Sequence, residues 1–196
     1  ENAAHELQEG SDILTKQVRL AAATGEASYI DAYFEEANVN KTREKALEDL
    51  AVLDRDSDAI KQLQEALDAS VDLMQTEYYS MRLVEESIGS DPDTWPGELQ
   101  DVELSQTDAS LSSTDKLSKA QQLVIGLEYE KAKEVITSDI NNAIDSLTNM
   151  INDRQNHAEE IFTRLFIAII ICVLFFAAMM LVVCQIMHYW IVSPLM

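Results

Sequence analysis

Glycine and proline are scarce in this chain, with 5 and 3 in 196 residues. No alternating strand pattern of useful length competes with helical periodicity, so the sequence predicts an all-α protein. Cysteine is nearly absent. The two that occur, Cys172 and Cys184, lie in an apolar run near the C-terminal end. The polar part therefore has no disulfide framework, and neither thiol has a metal-ligand companion. Cations are few: Lys and Arg total 14 against 35 Asp and Glu, a net charge of -21. That balance excludes nucleic acid as a partner, because phosphate binding needs clustered Lys and Arg. It also argues against docking on anionic lipid, and it fits a solvated surface outside the cell. Histidine is limited to His5, His157 and His188, far apart in the chain. No Gly-rich phosphate loop, nucleophile elbow or nucleophile with a plausible base is found, so no catalytic site, metal or cofactor is expected.

Charge is missing altogether after Arg164. The run LFIAIIICVLFFAAMMLVVC, Leu165 to Cys184, is long enough for a membrane span: ~20 helical residues at ~1.5 Å each match a hydrocarbon layer of ~30 Å. The sequence thus divides into a helical domain over 1–164, a transmembrane helix over 165–190 and a linker start over 191–196. A run at this end is not a signal peptide. Because the chain opens on Glu1, an upstream segment with a second span is expected to precede it.

Within 1–164 the apolar residues recur at alternating three- and four-residue steps, the signature of helices packed at a shallow angle. Ala4, Leu7, Ser11, Leu14, Val18 and Ala21 form one stripe. Val39, Arg43, Ala46, Leu50 and Leu53 form a second. Ile60, Leu63, Leu67, Ser70, Met74, Met81 and Val84 mark a third. Ile136, Ile140, Ala143, Leu147, Met150, Arg154, Ala158 and Ile161 mark a fourth. Breaks fall at Gly25, at Gly89 and in the Pro92–Gly97 cluster. Asp54 to Asp58 offers several oxygens to cap the third helix, while Ser105 with Asp108 and Ser112 with Asp115 read as capping boxes. Gly126 is expected to kink the start of the last helix, which then runs without Gly or Pro to Pro194. The architecture predicted is an antiparallel four-helix bundle whose last helix continues into the membrane. Asp54, Asp56, Asp58 and Glu65 mimic a calcium loop, but Ala59 replaces its obligatory glycine and Lys61 its hydrophobic residue, so a helix cap is the reading adopted.

The segment Leu14 to Glu36, LTKQVRLAAATGEASYIDAYFEE, carries Thr24, Gly25, Tyr29 and Tyr33 in a TG-x-x-x-Y-x-x-x-Y pattern. It resembles a piece common in the extracellular helical-bundle sensor regions of bacterial transmembrane receptors. Gln121 to Ile136, QQLVIGLEYEKAKEVI, is similar to a second recurrent piece in sensors of Firmicutes. Ile191-Val192-Ser193-Pro194-Leu195 resembles the start of a HAMP-type cytoplasmic linker. The resemblance implies a sensor module spanning the membrane twice and working as a homodimer. Its bundle would lie outside the cell and its C-terminus in the cytoplasm. The implied output is a diguanylate cyclase, or alternatively a histidine kinase or methyl-accepting chemoreceptor; a membrane-anchored adaptor bundle is the rival. For a bacterial protein the sequon Asn40-Lys41-Thr42 carries no weight.

Arg43 and Arg154 occupy stripe positions where a bundle wants Leu. Each either snorkels or pairs with an acidic residue, or faces a cavity and grips a ligand carboxylate with two parallel hydrogen bonds. Tyr29, Tyr33 and Tyr78, with neighbouring Tyr79, are the candidate lining of such a cavity, with core packing as the alternative. The partner is an unknown small ligand or a protein.

Overall fold

The computed structural model describes residues 2–52 and 57–187. No strand occurs among them, and the protein is all-α. It forms two compact units, Glu1–Leu147 and Thr148–Met196. Leu53, Asp54, Asp56, His188 and the Ile191–Leu195 linker start lie outside the described residues.

The first unit opens with α1 (Asn2–Thr24), which stops where Gly25 turns to φ 73 and its N–H closes on the Ala21 carbonyl at 2.8 Å. A positive φ costs glycine little, which suits it to end a helix. Next, α2 (Ala27–Phe34) runs into a π-helical turn, Glu35–Asn40. The Lys41 N–H bonds the Glu36 carbonyl five residues back at 2.8 Å, and Lys41 itself is left-handed at φ 52. From there α3 (Thr42–Ala51) begins. Ser57 caps α4 (Asp58–Ile88) by accepting the Ile60 N–H at 3.3 Å, so Ser57 takes the capping role expected of the Asp54–Asp58 group. Gly89, at φ 69, ends α4.

The connection after α4 holds a 3-10 turn (Pro92–Thr94) and the short helices α5 (Gly97–Gln100) and α6 (Gln106–Ala109). Trp95 and Leu99 are buried, so the connection is packed rather than loose. The N-cap half of both expected boxes forms: Ser105 Oγ accepts the Asp108 N–H and Ser112 Oγ that of Asp115, the second opening α7 (Ser113–Ile125), while the Ser105 N–H donates to the Tyr79 hydroxyl. Gly126 breaks the helix instead of kinking it, with φ -69 and ψ 157, and α8 (Leu127–Met187) starts directly after it. A Cβ on Gly126 would stand 2.3 Å from the Gln122 carbonyl oxygen, so only glycine fits. Arg19 fastens the break, donating to the Val124 carbonyl at 3.0 Å and pairing with Glu130.

The expected stripes are buried almost throughout. Leu7, Ser11, Leu14, Val18 and Ala21 of α1 face inward, as do Ile60, Leu63, Ser70, Met81 and Val84 of α4, with Leu67 and Met74 half-buried. Arg43, Ala46 and Leu50 are buried on α3, but Val39 is 69 % exposed. The π turn and the left-handed Lys41 between Val39 and Arg43 shift the helical phase, which takes Val39 off the stripe. In α8 burial runs through Ile136, Ile140, Ala143 and Leu147. The hydrogen bonds that α8 makes to α1 fix their register: Gln8 donates to Asn141 and Lys133 to Ser11, with Arg19 beside Glu130.

In the second unit Met150 is half-buried, and Arg154, Ala158 and Ile161 are exposed, so the stripe is not buried there. The apolar side chains from Leu165 to Met187 are exposed as well. The helix is long and apolar enough to cross a membrane: an 18-residue window reaches a mean hydropathy of 3.2, and none of it is buried.

Candidate functional site

The inward faces of five helices in the first unit meet in a layer that is polar where a helical core is ordinarily apolar. At its centre is Glu77 of α4, buried to 4 % exposure. Its Oε2 accepts the Tyr33 hydroxyl of α2 at 2.5 Å, and its Oε1 accepts the Tyr129 hydroxyl of α8 at 2.5 Å. One carboxylate thus joins three helices. A buried carboxylate is costly unless it is hydrogen-bonded, and two phenolic donors meet that need.

Arg43 lies in the same layer, also 4 % exposed. Its Nη1 donates to Ser70 Oγ of α4 at 2.7 Å. Its Nη2 reaches Met74 Sδ at 3.7 Å and, toward the rim, Glu44 at 3.3 Å. The head is turned inward, so Arg43 does not snorkel. Its stem packs on Gly10 of α1, where an added Cβ would stand 2.8 Å from Arg43 Cγ. Lys133 of α8 closes the layer against α1, with Nζ 2.5 Å from Ser11 Oγ, 3.1 Å from the Ser11 carbonyl and 3.6 Å from Asp12.

Burial and the adjacent Glu77 charge raise the Tyr33 hydroxyl well above its ordinary 10.0, and the same two causes raise Tyr129. Burial lowers Lys133, against the opposing pull of Asp12 and Glu77. Both tyrosines therefore remain neutral donors to the Glu77 carboxyl across the physiological range.

Tyr78 stacks on Phe34 with ring centroids 5.5 Å apart and meets Tyr33 edge-on at 6.2 Å. Arg43, Tyr33 and Tyr78 are therefore brought together. Tyr29 is half-buried against the apolar core, and Arg154 is an exposed residue of the second unit. The residues that sequence reasoning missed are Glu77, Tyr129 and Lys133. Glu77 and Tyr129 lie on the inward stripes of their helices, four residues before Met81 and seven before Ile136, and that placement was the available signal.

The layer is filled by the chain's own side chains. Open space lies beside it: a shallow groove of about 540 Å³ runs along α8, lined by Glu130, Lys133, Glu134, Thr137, Ser138 and the Asn141–Asn142 pair. Among the described residues no group of three or more His, Cys, Asp or Glu is placed to hold a metal. Comparison with known proteins finds no matching family model, no matching curated protein and no matching solved structure.

Proposed function

We propose that this chain is the extracellular sensory module of a bacterial transmembrane receptor. In this reading α1, α2 with α3, α4, and α7 with the first part of α8 form an antiparallel four-helix bundle. The span over 165–187 crosses the membrane, the C-terminal end is cytoplasmic and the receptor works as a homodimer. The observation that carries the proposal is α8 itself. One helix, Leu127–Met187, includes both the Tyr129–Lys133 part of the buried polar layer and an exposed apolar run of membrane length. A stimulus that favours one packing of the layer over another by a few kcal/mol would displace α8, and a helix passes displacement along its axis without new contacts. The output module would be a diguanylate cyclase, with a histidine kinase or a methyl-accepting signalling domain as alternatives.

The test is phase. One to four alanines are inserted in α8 between Arg154 and Arg164 of the receptor carrying its cytoplasmic part. Each insertion rotates the C-terminal part of the helix by ~100° relative to the N-terminal part. A relay makes cytoplasmic output rise and fall with a helical period as residues are added. An adaptor merely anchored to the membrane shows an output, or a partner affinity, indifferent to insertion length, and that result would sink the sensory reading.

A further inference from the structure

The polar layer has a second arrangement written into α8. Tyr129, the donor to Glu77, and Lys133, the ammonium against Ser11, are four residues apart on one helix face. If α8 slides by four residues, about one turn or ~6 Å with a rotation of ~40°, toward its own N-terminus, Lys133 takes the place of Tyr129. It then stands opposite Glu77, the carboxylate a buried ammonium seeks.

The rest of the buried face keeps its apolar character through that step, with one overpacked position where Leu147 meets the fully buried site of Ala143. Ile140 replaces Ile136, Ile144 replaces Ile140, Leu147 replaces Ala143 and Ile151 replaces Leu147. Every apolar position stays apolar, and only Ala143 to Leu147 changes size appreciably. The chain has a place to store the four displaced residues, since Gly126 already interrupts the helix and its neighbours Ile125 and Leu127 are 52 % and 70 % exposed. Against the step stand the bonds of the present register: Tyr129 to Glu77, Lys133 to Ser11, and Arg19 to Val124 and Glu130. Packed helices switch between discrete registers, because interdigitated side chains do not slide continuously.

We propose that Glu77 is a two-position register stop for α8, held by Tyr129 in this structure and by Lys133 in a minor register one turn away. This does not rest on the sensory reading, since the contacts it is argued from belong to the first unit.

Paired cysteines read the register directly in the full chain, embedded in lipid nanodiscs, with Cys172→Ala and Cys184→Ala removing the native thiols. Gln8→Cys with Asn141→Cys reports the present register, since these side chains are bonded at 2.7 Å. Gln8→Cys with Asp145→Cys reports the shifted one. A short bis-maleimide links each pair, and the ratio of shifted to present product is compared across variants. Tyr129→Phe keeps the ring and removes the donor, and should raise the ratio about tenfold, the equivalent of ~1.4 kcal/mol. Adding Lys133→Met to Tyr129→Phe removes the second stop together with the Lys133–Ser11 bond of the present register, and should bring the ratio down from the Tyr129→Phe value. Ser80→Ala deletes a buried bond from α4 to the Ala120 carbonyl of α7 without touching Glu77, and should leave the ratio unchanged. The proposal is overturned if Tyr129→Phe leaves the ratio unchanged, if Ser80→Ala raises it equally, or if the double variant stays high. Helical circular dichroism of each variant confirms that a folded chain is being compared.

Discussion

At the scale of single residues the polar layer is an exchange of solvation for directed contact. Glu77, Arg43 and Lys133 each lose water and each gain named partners, so removing one partner costs more than the bond alone. Titration exposes this. The Tyr33 and Tyr129 hydroxyls are raised from an ordinary 10.0 by burial and by Glu77. The folded chain therefore holds their protons after an unfolded chain has released them. Their contribution to stability is complete below pH ~10 and is lost as pH climbs above it toward the folded values. Lys133 has the opposite sign. Its folded value lies below 10.5, so rising pH relieves the cost of burying its charge. Burial raises Tyr78 as well, so three tyrosines oppose one lysine, and the net expectation is falling stability above pH ~10. Urea unfolding at a series of alkaline pH values checks this. The wild-type chain should lose stability steeply above pH ~10, and Tyr129→Phe, less stable near neutral pH, should show a shallower slope. Equal slopes would mean that Tyr129 titrates as though it were solvated.

The elements show which parts of this fold were legible from sequence. Apolar periodicity located α1, α4 and α8, because a buried face repeats for as long as its helix does. Capping boxes located the starts of α6 and α7, because a side-chain oxygen bonded three residues ahead is a local geometry. The junction between α2 and α3 was not legible. A π turn needs no special residue, and Lys41 gives no warning that it will be left-handed. What holds that junction is the buried Glu36 carboxylate, accepting the Thr42 N–H at 3.2 Å and Asn40 Nδ2 at 3.1 Å. The polar layer was half legible for a related reason. Arg43 stood out as a charge on an apolar stripe, whereas Glu77 sits among so many acidic residues that its burial becomes apparent only when Tyr33 and Tyr129 converge on it. The junction yields a prediction. A lysine at φ 52 carries a steric cost of ~1 kcal/mol that glycine avoids, partly offset by the greater unfolded-state freedom of glycine. Lys41→Gly should accordingly raise the melting temperature slightly, whereas Lys41→Val, β-branched, should lower it by several degrees. Thermal unfolding followed by circular dichroism distinguishes the two. A glycine variant that melts markedly lower would show that the Lys41 side chain, and not its backbone, is what the junction uses.

Over the whole molecule the two halves of the composition divide the forces between them. The apolar run after Arg164 carries no Asp, Glu, Lys or Arg, and every one of those residues, with the full net charge of -21, lies before it. Lys116 of α7 pairs with Glu86 of α4 at 2.7 Å and ties the two helices, while Arg82 pairs with the same Glu86 along α4 at 3.2 Å. Most carboxylates stand on the surface with like charges for neighbours. At low ionic strength their mutual repulsion destabilises the compact state, because the unfolded chain spreads the same charge over a larger volume. At ~0.15 M salt the Debye length shrinks to ~8 Å and most of that repulsion is screened, while the buried Glu77 and Arg43 contacts are screened far less. The chain in uncharged nanodiscs should therefore melt at a higher temperature in ~0.15 M sodium chloride than in ~0.01 M. Sodium sulfate at equal ionic strength separates screening from a general salting effect, since screening predicts the same gain with both salts. A melting temperature that falls on adding salt would mean that attraction between surface pairs, and not repulsion among carboxylates, governs the stability of the acidic unit.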